Sequence, residues 1–278
     1  MTMSLMSKLL MSTALMSVAL NATAIPDNKK LVKYVKKNVV KNPQVKIKGV
    51  TVLESKTHKE LPGWNILLTT MDLEYQGKEI HAPEIMFIKD GLITGNLVDL
   101  KTGNNYRNNI KPTVPNTYYD DAHLLFGNKD AKHKVLIFSD PQCPFCQEVV
   151  PAIFKAAKDN PTKIAVYYYH LPLLRIHPVS DVLTRIMHVA QHEGKADVVE
   201  KLYSLKINVK ETNTTKIIEA VKKHTGYTTT AAQIDKKEVK EALKADETAA
   251  GKMMVNGTPT IYIDGVWDKM RDGYKKLY

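Results

Sequence analysis

Cys143-Pro144-Phe145-Cys146 holds the only two cysteines of the chain. Two thiols with two residues between them can close and open a disulfide with little backbone movement. The chemistry within their reach is thiol–disulfide exchange, in which a thiolate attacks a disulfide sulfur and a second thiol resolves the mixed disulfide. The thiolate is the nucleophile, so the site must lower a thiol pKa. A purely structural disulfide gains little from so short a loop. A structural zinc site wants four ligands, and no second Cys/His cluster lies at a zinc-like spacing.

The flanking residues say what positions the pair. The run 133–138 is apolar and β-prone, and 147–158 is helix-prone with Pro151 inside it, where a kink or a loosened turn is expected. Cys143 therefore falls at a strand-to-helix turn, where backbone N–H groups and the helix dipole favour a thiolate. The run 162–170 reads as a second strand, which makes strand–helix–strand, the unit of a parallel pair. Residues 179–252 are helical in pattern, in pieces broken by Gly194, Asn208 and Gly226. Residues 260–267 read as a hairpin turning at Asp264-Gly265. Pro259 opens its first strand, and a cis bond there would leave the preceding backbone free to pair with an extended peptide.

The rest of the chain frames this unit. It has 278 residues, 44% hydrophobic and 25% charged, enough for one large domain or two modest ones. Residues 1–24 have the parts of an export signal: a basic start ending at Lys8, an apolar stretch 9–20 too short to span a bilayer, and Ala22-Thr23-Ala24 as a cleavage site. No later stretch is long and apolar enough to be a membrane span. Residues 28–40 read as an amphipathic helix, with Val32, Val35 and Val39 on one face. The runs 45–53, 64–71, 84–88 and 92–97 read as strands, the last two joined through Asp90-Gly91. Residues 101–116 are polar, with Pro112 and Pro115, and read as a linker. The net charge of +11 comes from lysines spread along the chain without interleaved aromatics, so a solvated surface is expected and no nucleic-acid partner.

Phe138-Ser139-Asp140-Pro141-Gln142-Cys143-Pro144-Phe145-Cys146 and Val255-Asn256-Gly257-Thr258-Pro259-Thr260 resemble the two signatures of the thioredoxin superfamily. Within it the chain is most similar to the periplasmic disulfide isomerases of the DsbC/DsbG group. The resemblance is strong at the two signatures and looser elsewhere. It implies an α+β architecture: signal peptide 1–24, N-terminal cystatin-like dimerisation domain 25–100, linker 101–116, and a thioredoxin-like domain 117–278 with a helical insert at about 178–252. It also assigns roles. Cys143 would be the exposed nucleophile and Cys146 the buried resolving thiol. Pro259 would be cis, with Thr258 offering its backbone to the substrate. Pro144 and Phe145 would tune the redox potential, and Phe145, lacking a charge, points to a less oxidising potential than histidine there.

The implied function is that of an exported, periplasmic disulfide isomerase or reductase with chaperone-like binding. Its partners would be unfolded or misdisulfided exported proteins, a membrane thiol–disulfide reductase or oxidase, and a second copy in a homodimer. No cofactor or metal is expected. An oxidase of the same fold, a holdase and a copper-handling protein stay open as alternatives.

Four further features bear on the site. Many thioredoxins bury an acid six residues before the first cysteine, where this chain has Ile137. Asp140 and Glu148 are the nearby carboxylates, and both read first as surface or capping residues. His188 and His192 stand four apart on a helix, the spacing of a metal pair, but no third ligand is evident. Asn213 lies in an Asn-x-Thr sequence, a candidate glycosylation acceptor.

Overall fold

The computed structural model describes residues 25–278. The expected export signal lies outside the described residues. Among those described, no helix is long and apolar enough to cross a membrane.

The first part of the chain is one helix on a four-stranded sheet. Helix α1 (Asn28–Tyr34) is capped by Asp27, whose side chain accepts the Lys30 N–H, and runs on as one wider turn over Val35–Val39. Strands β1 (Lys46–Lys56), β2 (Asn65–Tyr75), β3 (Lys78–Lys89) and β4 (Leu92–Thr94) pair antiparallel in that order. Strand β2 is covered on both faces. Leu67 and Met71 pack with Leu31 and Val35 of α1, while Ile66 and Leu68 pack with Tyr106, Ile110 and Met254. Asp90 and Gly91 turn β3 into β4 with positive φ at both residues, the backbone such a tight hairpin needs. A second turn of this kind, Gln76-Gly77, joins β2 to β3. Strand β3 thus starts earlier than its buried run 84–88 indicates, because 78–83 mix polar and apolar residues and are mostly exposed.

The segment 101–116 is exposed at both ends and packed in its middle, between Tyr106 and Val114. It forms a short helical turn at Tyr106–Asn109 and buries Tyr106, Ile110 and Val114. Thr113 donates its N–H and its hydroxyl to the Glu54 carboxylate, each at 3.0 Å. The Lys111 ammonium reaches the carbonyl of Met254, which ties this segment to the chain just before Pro259.

The second sheet has the order β5-β7-β6-β8-β9: β5 (Leu124–Phe126), β6 (His133–Ser139), β7 (Ile164–His170), β8 (Thr260–Ile263) and β9 (Val266–Trp267). Strands β6 and β7 are parallel, joined by α2 (Pro144–Asp159), which continues through Pro151. Strand β8 lies antiparallel on the other side of β6 and turns into β9 at Asp264-Gly265. Strand β5 is three residues long, too short to announce itself in the sequence. Between β7 and β8 come α3 (Ser180–His192), α4 (Ala196–Lys201), α5 (Thr214–Thr225), α6 (Ala231–Ile234) and α7 (Lys237–Lys252). Strand alternation sends Val135, Ile137 and Tyr168 into a core with α2 and α3. It sends Leu136, Phe138, Tyr167 and Tyr169 into a second core with Ala250 and Met253 of α7.

Candidate redox site

The site forms where β6 ends. Cys143 is the extended residue that caps α2, and Pro144 occupies the first helical turn, where its missing N–H costs nothing. The loop between strand and helix is closed by the Cys143 N–H donating to the Asp140 carbonyl. This geometry leaves the first N–H groups of α2 unpaired and facing the Cys143 sulfur.

Cys143 is only 5% exposed, and Cys146 is fully buried. The expectation of an exposed nucleophile is therefore corrected. The Cys143 side chain turns inward, and in its thiol form it donates to the Thr258 carbonyl at 3.4 Å. Phe145, 62% exposed, and Pro144 form the outward part of the motif. The Thr258–Pro259 peptide bond is cis. Thr258 is buried. The loop is pinned on both sides: Thr260 Oγ1 donates to the Gly257 carbonyl at 2.7 Å, and Arg271 Nε to the Pro259 carbonyl at 3.0 Å.

The two free thiols have opposite acidities. Cys143 is pulled down to about 5, first by a hydrogen bond from Cys146, then by the Thr258 side-chain hydroxyl and the backbone N–H groups of Cys146 and Phe145, against the opposing effect of burial. Cys146 is pushed far up, first by burial and then by its hydrogen bond to Cys143. The pair therefore holds one proton near neutrality, on Cys146, and leaves a thiolate at Cys143.

Asp140 is the second correction. Its carboxylate is fully buried and accepts four hydrogen bonds. The donors are the Gln142 N–H at 2.8 Å, the Leu173 N–H at 2.8 Å, the Ser180 hydroxyl at 2.6 Å and His177 Nδ1 at 2.9 Å. Asp140 fastens the turn before Cys143 to the start of α3. Glu148 is exposed on α2.

His188 and His192 meet edge to face at 4.2 Å, and the fold brings His170 to 6.0 Å from His188. Both His170 nitrogens are buried without a partner, in a cavity of about 180 Å³ that His123 and Asp246 also line. Among the described residues, no three His, Cys, Asp or Glu side chains are arranged to hold a metal ion. Burial and the neighbouring His192 hold His188 down to about 4. Asn213 caps α5, its side chain accepting the Lys216 N–H.

The sequence reading does not single out Ser139, Tyr168 or Tyr203, three buried hydroxyls beside Cys146. One signal was available: alternation along β6 puts Ser139 on the face of Ile137 and Cys146. Tyr203, from the insert, carried none.

A thioredoxin family profile matches residues 120–276. No curated protein matches the chain. Among solved structures, BdbD from Bacillus subtilis aligns at 18% identity over 60% of this chain and 93% of its own, with a TM-score of 0.48. A periplasmic thioredoxin-like protein from Salmonella enterica serovar Typhimurium aligns at 20% identity over 59% and 95%, with a TM-score of 0.47. Proteus mirabilis ScsC in a transitional conformation aligns at 20% identity over 58% and 74%, with a TM-score of 0.44.

Proposed function

The chain belongs to the thioredoxin family, and from that premise we propose that it is an exported thiol–disulfide oxidoreductase acting on disulfides of other exported proteins, as an isomerase or reductase. The observation that carries this reading is the juxtaposition of an acidic Cys143 thiol with the backbone of Thr258, before the cis Pro259. An extended peptide paired with Thr258 would bring its own disulfide to the Cys143 sulfur.

The steps follow from the thiol acidities. The Cys143 thiolate attacks a substrate disulfide, forms the mixed disulfide and expels a substrate thiolate. In isomerisation that freed thiolate attacks elsewhere in the substrate, and a second substrate thiolate then displaces Cys143. When the substrate stalls, Cys146 attacks Cys143 and releases the substrate reduced. Pro144 and Phe145 form the outer wall of the motif, and neither carries a charge.

The first sheet with α1 is assigned to dimerisation, as a cystatin-like domain over 25–100, with 101–116 connecting it to the catalytic domain at 117–278. Exposed Leu53 on β1 and Leu92 on β4 support that assignment, since outer strands carrying apolar side chains are suited to a partner. A homodimer would set two Cys143 sites around a space for an unfolded chain. The periplasm is the matching compartment, with a membrane thiol–disulfide protein to reset Cys143 and Cys146.

One observation favours the oxidase alternative. A Cys143 thiol pulled to about 5 stabilises the reduced enzyme and makes its disulfide more oxidising. Reactivation of scrambled ribonuclease, compared with oxidation of reduced ribonuclease, separates the two. Recovery of scrambled ribonuclease that is lost in Cys143→Ala supports the isomerase. Oxidation alone assigns the oxidase. A protein inactive in both assays overturns the reading.

A further inference from the structure

We propose that Ser139, oriented by Tyr203 and Tyr168, is the group that stabilises the Cys146 thiolate during resolution of the mixed disulfide, in the place where many relatives use a buried acid. The proposal rests on the thiol–disulfide reading above and assigns the half of that reaction for which the Cys-Pro-Phe-Cys motif supplies no helper.

Resolution is difficult here for a physical reason. Cys146 is fully buried, and Ile137, Ser139, Tyr168 and Tyr203 around it are buried too, so water cannot solvate a thiolate there. Neither nearby carboxylate is free to help. Asp140 spends its oxygens on Gln142, Leu173, His177 and Ser180, and Glu148 faces solvent. Ile137 offers no polar atom.

Against that burial the Ser139 hydroxyl and the Asp140 backbone N–H draw the Cys146 thiol down, and Ser139 ends β6 on the face of Ile137, which packs in one core with Cys146, Tyr168 and Tyr203. The hydrogen bonds behind Ser139 have a definite direction. The Tyr203 hydroxyl donates to Ser139 Oγ at 2.7 Å, so the serine's own hydrogen is not spent on Tyr203 and can turn to the sulfur. Tyr203 has then used its hydrogen, so in its 2.7 Å contact with Tyr168 the donor is Tyr168. The tyrosine hydroxyls thus donate in series, Tyr168 to Tyr203 to Ser139, behind the hydroxyl that acts on Cys146. In a dry interior such aligned hydroxyls polarise one another and strengthen the last bond.

The timing fits the reaction. While Cys143 is a thiolate, its charge and its hydrogen bond keep the proton on Cys146. Once Cys143 is tied into a mixed disulfide, both influences end, and burial is opposed by Ser139 and the Asp140 N–H. Cys146 then loses its proton and its thiolate attacks Cys143 Sγ. The Cys143–Cys146 bond forms, the Cys143–substrate bond breaks, and the electron pair leaves on the substrate sulfur, which takes up a proton equal to the one Cys146 released. The two enzyme cysteines are oxidised and the substrate disulfide is reduced. Ser139 touches a reacting atom and is catalytic in this sense; Tyr203 and Tyr168 are positioning residues.

The test uses the full-length protein and oxidised glutathione. Reduced protein is mixed with it, the reaction is quenched in acid, and the glutathionylated intermediate is followed by mass spectrometry from pH 5 to 9. The readout is the decay rate of the intermediate relative to its formation rate. In Ser139→Ala that ratio should fall about tenfold or more at pH 7, the loss expected for one hydrogen bond to a charged group, and the decay should reach its maximum at a higher pH. Tyr203→Phe keeps the ring and the packing, and should move the ratio in the same direction by about two- to fivefold. A Ser139→Ala ratio and pH profile equal to wild type would overturn the proposal. So would a uniform slowing of formation and decay in both variants, which marks a loosened core. A wild-type protein that forms no glutathione adduct while Cys143 still reacts with an alkylating agent overturns the enzymatic reading itself.

Discussion

The sulfur of Cys143 lies 3.4 Å from the carbonyl oxygen of Thr258, a residue 115 positions further along the chain. The contact exists because β8 pairs with β6, which brings the start of β8 beside the end of β6, where the loop to α2 begins. It turns the nucleophile away from solvent and places it beside a backbone that a peptide could use. Most consequences of this site can be measured through that sulfur.

Alkylation of Cys143 by iodoacetamide should follow a single titration with its midpoint near pH 5. Cys146→Ala removes the largest influence holding that value down. The midpoint should rise by about one to two pH units, the worth of one hydrogen bond to a charged group. An unchanged midpoint would mean that Thr258 and the helix N–H groups hold the thiolate by themselves.

Acid should weaken the fold through His188. Its folded-state value near 4 lies below the ordinary histidine value of 6.5, owing to burial and then to His192 and His123. Between these values the unfolded chain binds the proton and the folded one does not, so stability rises with pH there. The contribution is complete above about pH 6.5 and is lost as pH falls towards 4. His188→Gln should flatten that part of a stability–pH curve measured by urea unfolding. Asp246 and His170 share the cavity, so some slope should remain in the variant.

Asp140→Ala should cost about 3 to 5 kcal/mol, because four buried donors lose one acceptor group. Asp140→Asn keeps acceptor capacity on one oxygen and should cost less. Chemical denaturation of the reduced proteins measures both. A loss below about 1 kcal/mol in the alanine variant would show that the turn before Cys143 is held by other means.

Gly127→Ala offers a contrast away from the site. Gly127 has φ +82°, and a Cβ would stand 2.0 Å from the Ile164 carbonyl oxygen, a backbone atom that cannot step aside. The change should cost about 3 kcal/mol or more and disturb the pairing of β5 with β7. Gly91 has φ +78° but open space around it, so Gly91→Ala should cost about 1 kcal/mol. Melting temperatures of the two variants, read beside wild type, give the comparison.

What the residues declare by themselves is local. Cys143 and Cys146 bracket Pro144 and Phe145 between a β-prone run and a helix-prone run, and short-range sterics and periodicity are enough to place them at a strand-to-helix turn. Asp90-Gly91 and Asp264-Gly265 declare their hairpins, because few other pairs accept positive φ at two successive residues. The extent of β3 was harder to see, since its first half mixes polar and apolar residues whose side chains mostly meet solvent.

Tertiary structure decided the rest. Cys143 is buried because Thr258 covers it. Asp140 is a buried tie rather than a surface carboxylate because Leu173, His177 and Ser180 arrive from the segment after β7. Ser139 gains its hydroxyl partners only when Tyr168 in β7 and Tyr203 in the insert close on the same face of the sheet. Those contacts join residues far apart in the chain, and their existence depends on the order β7-β6-β8. Spacing names the two sulfurs; the burial and the hydrogen bonds that set one low and the other high come from segments that only the folded sheet brings together.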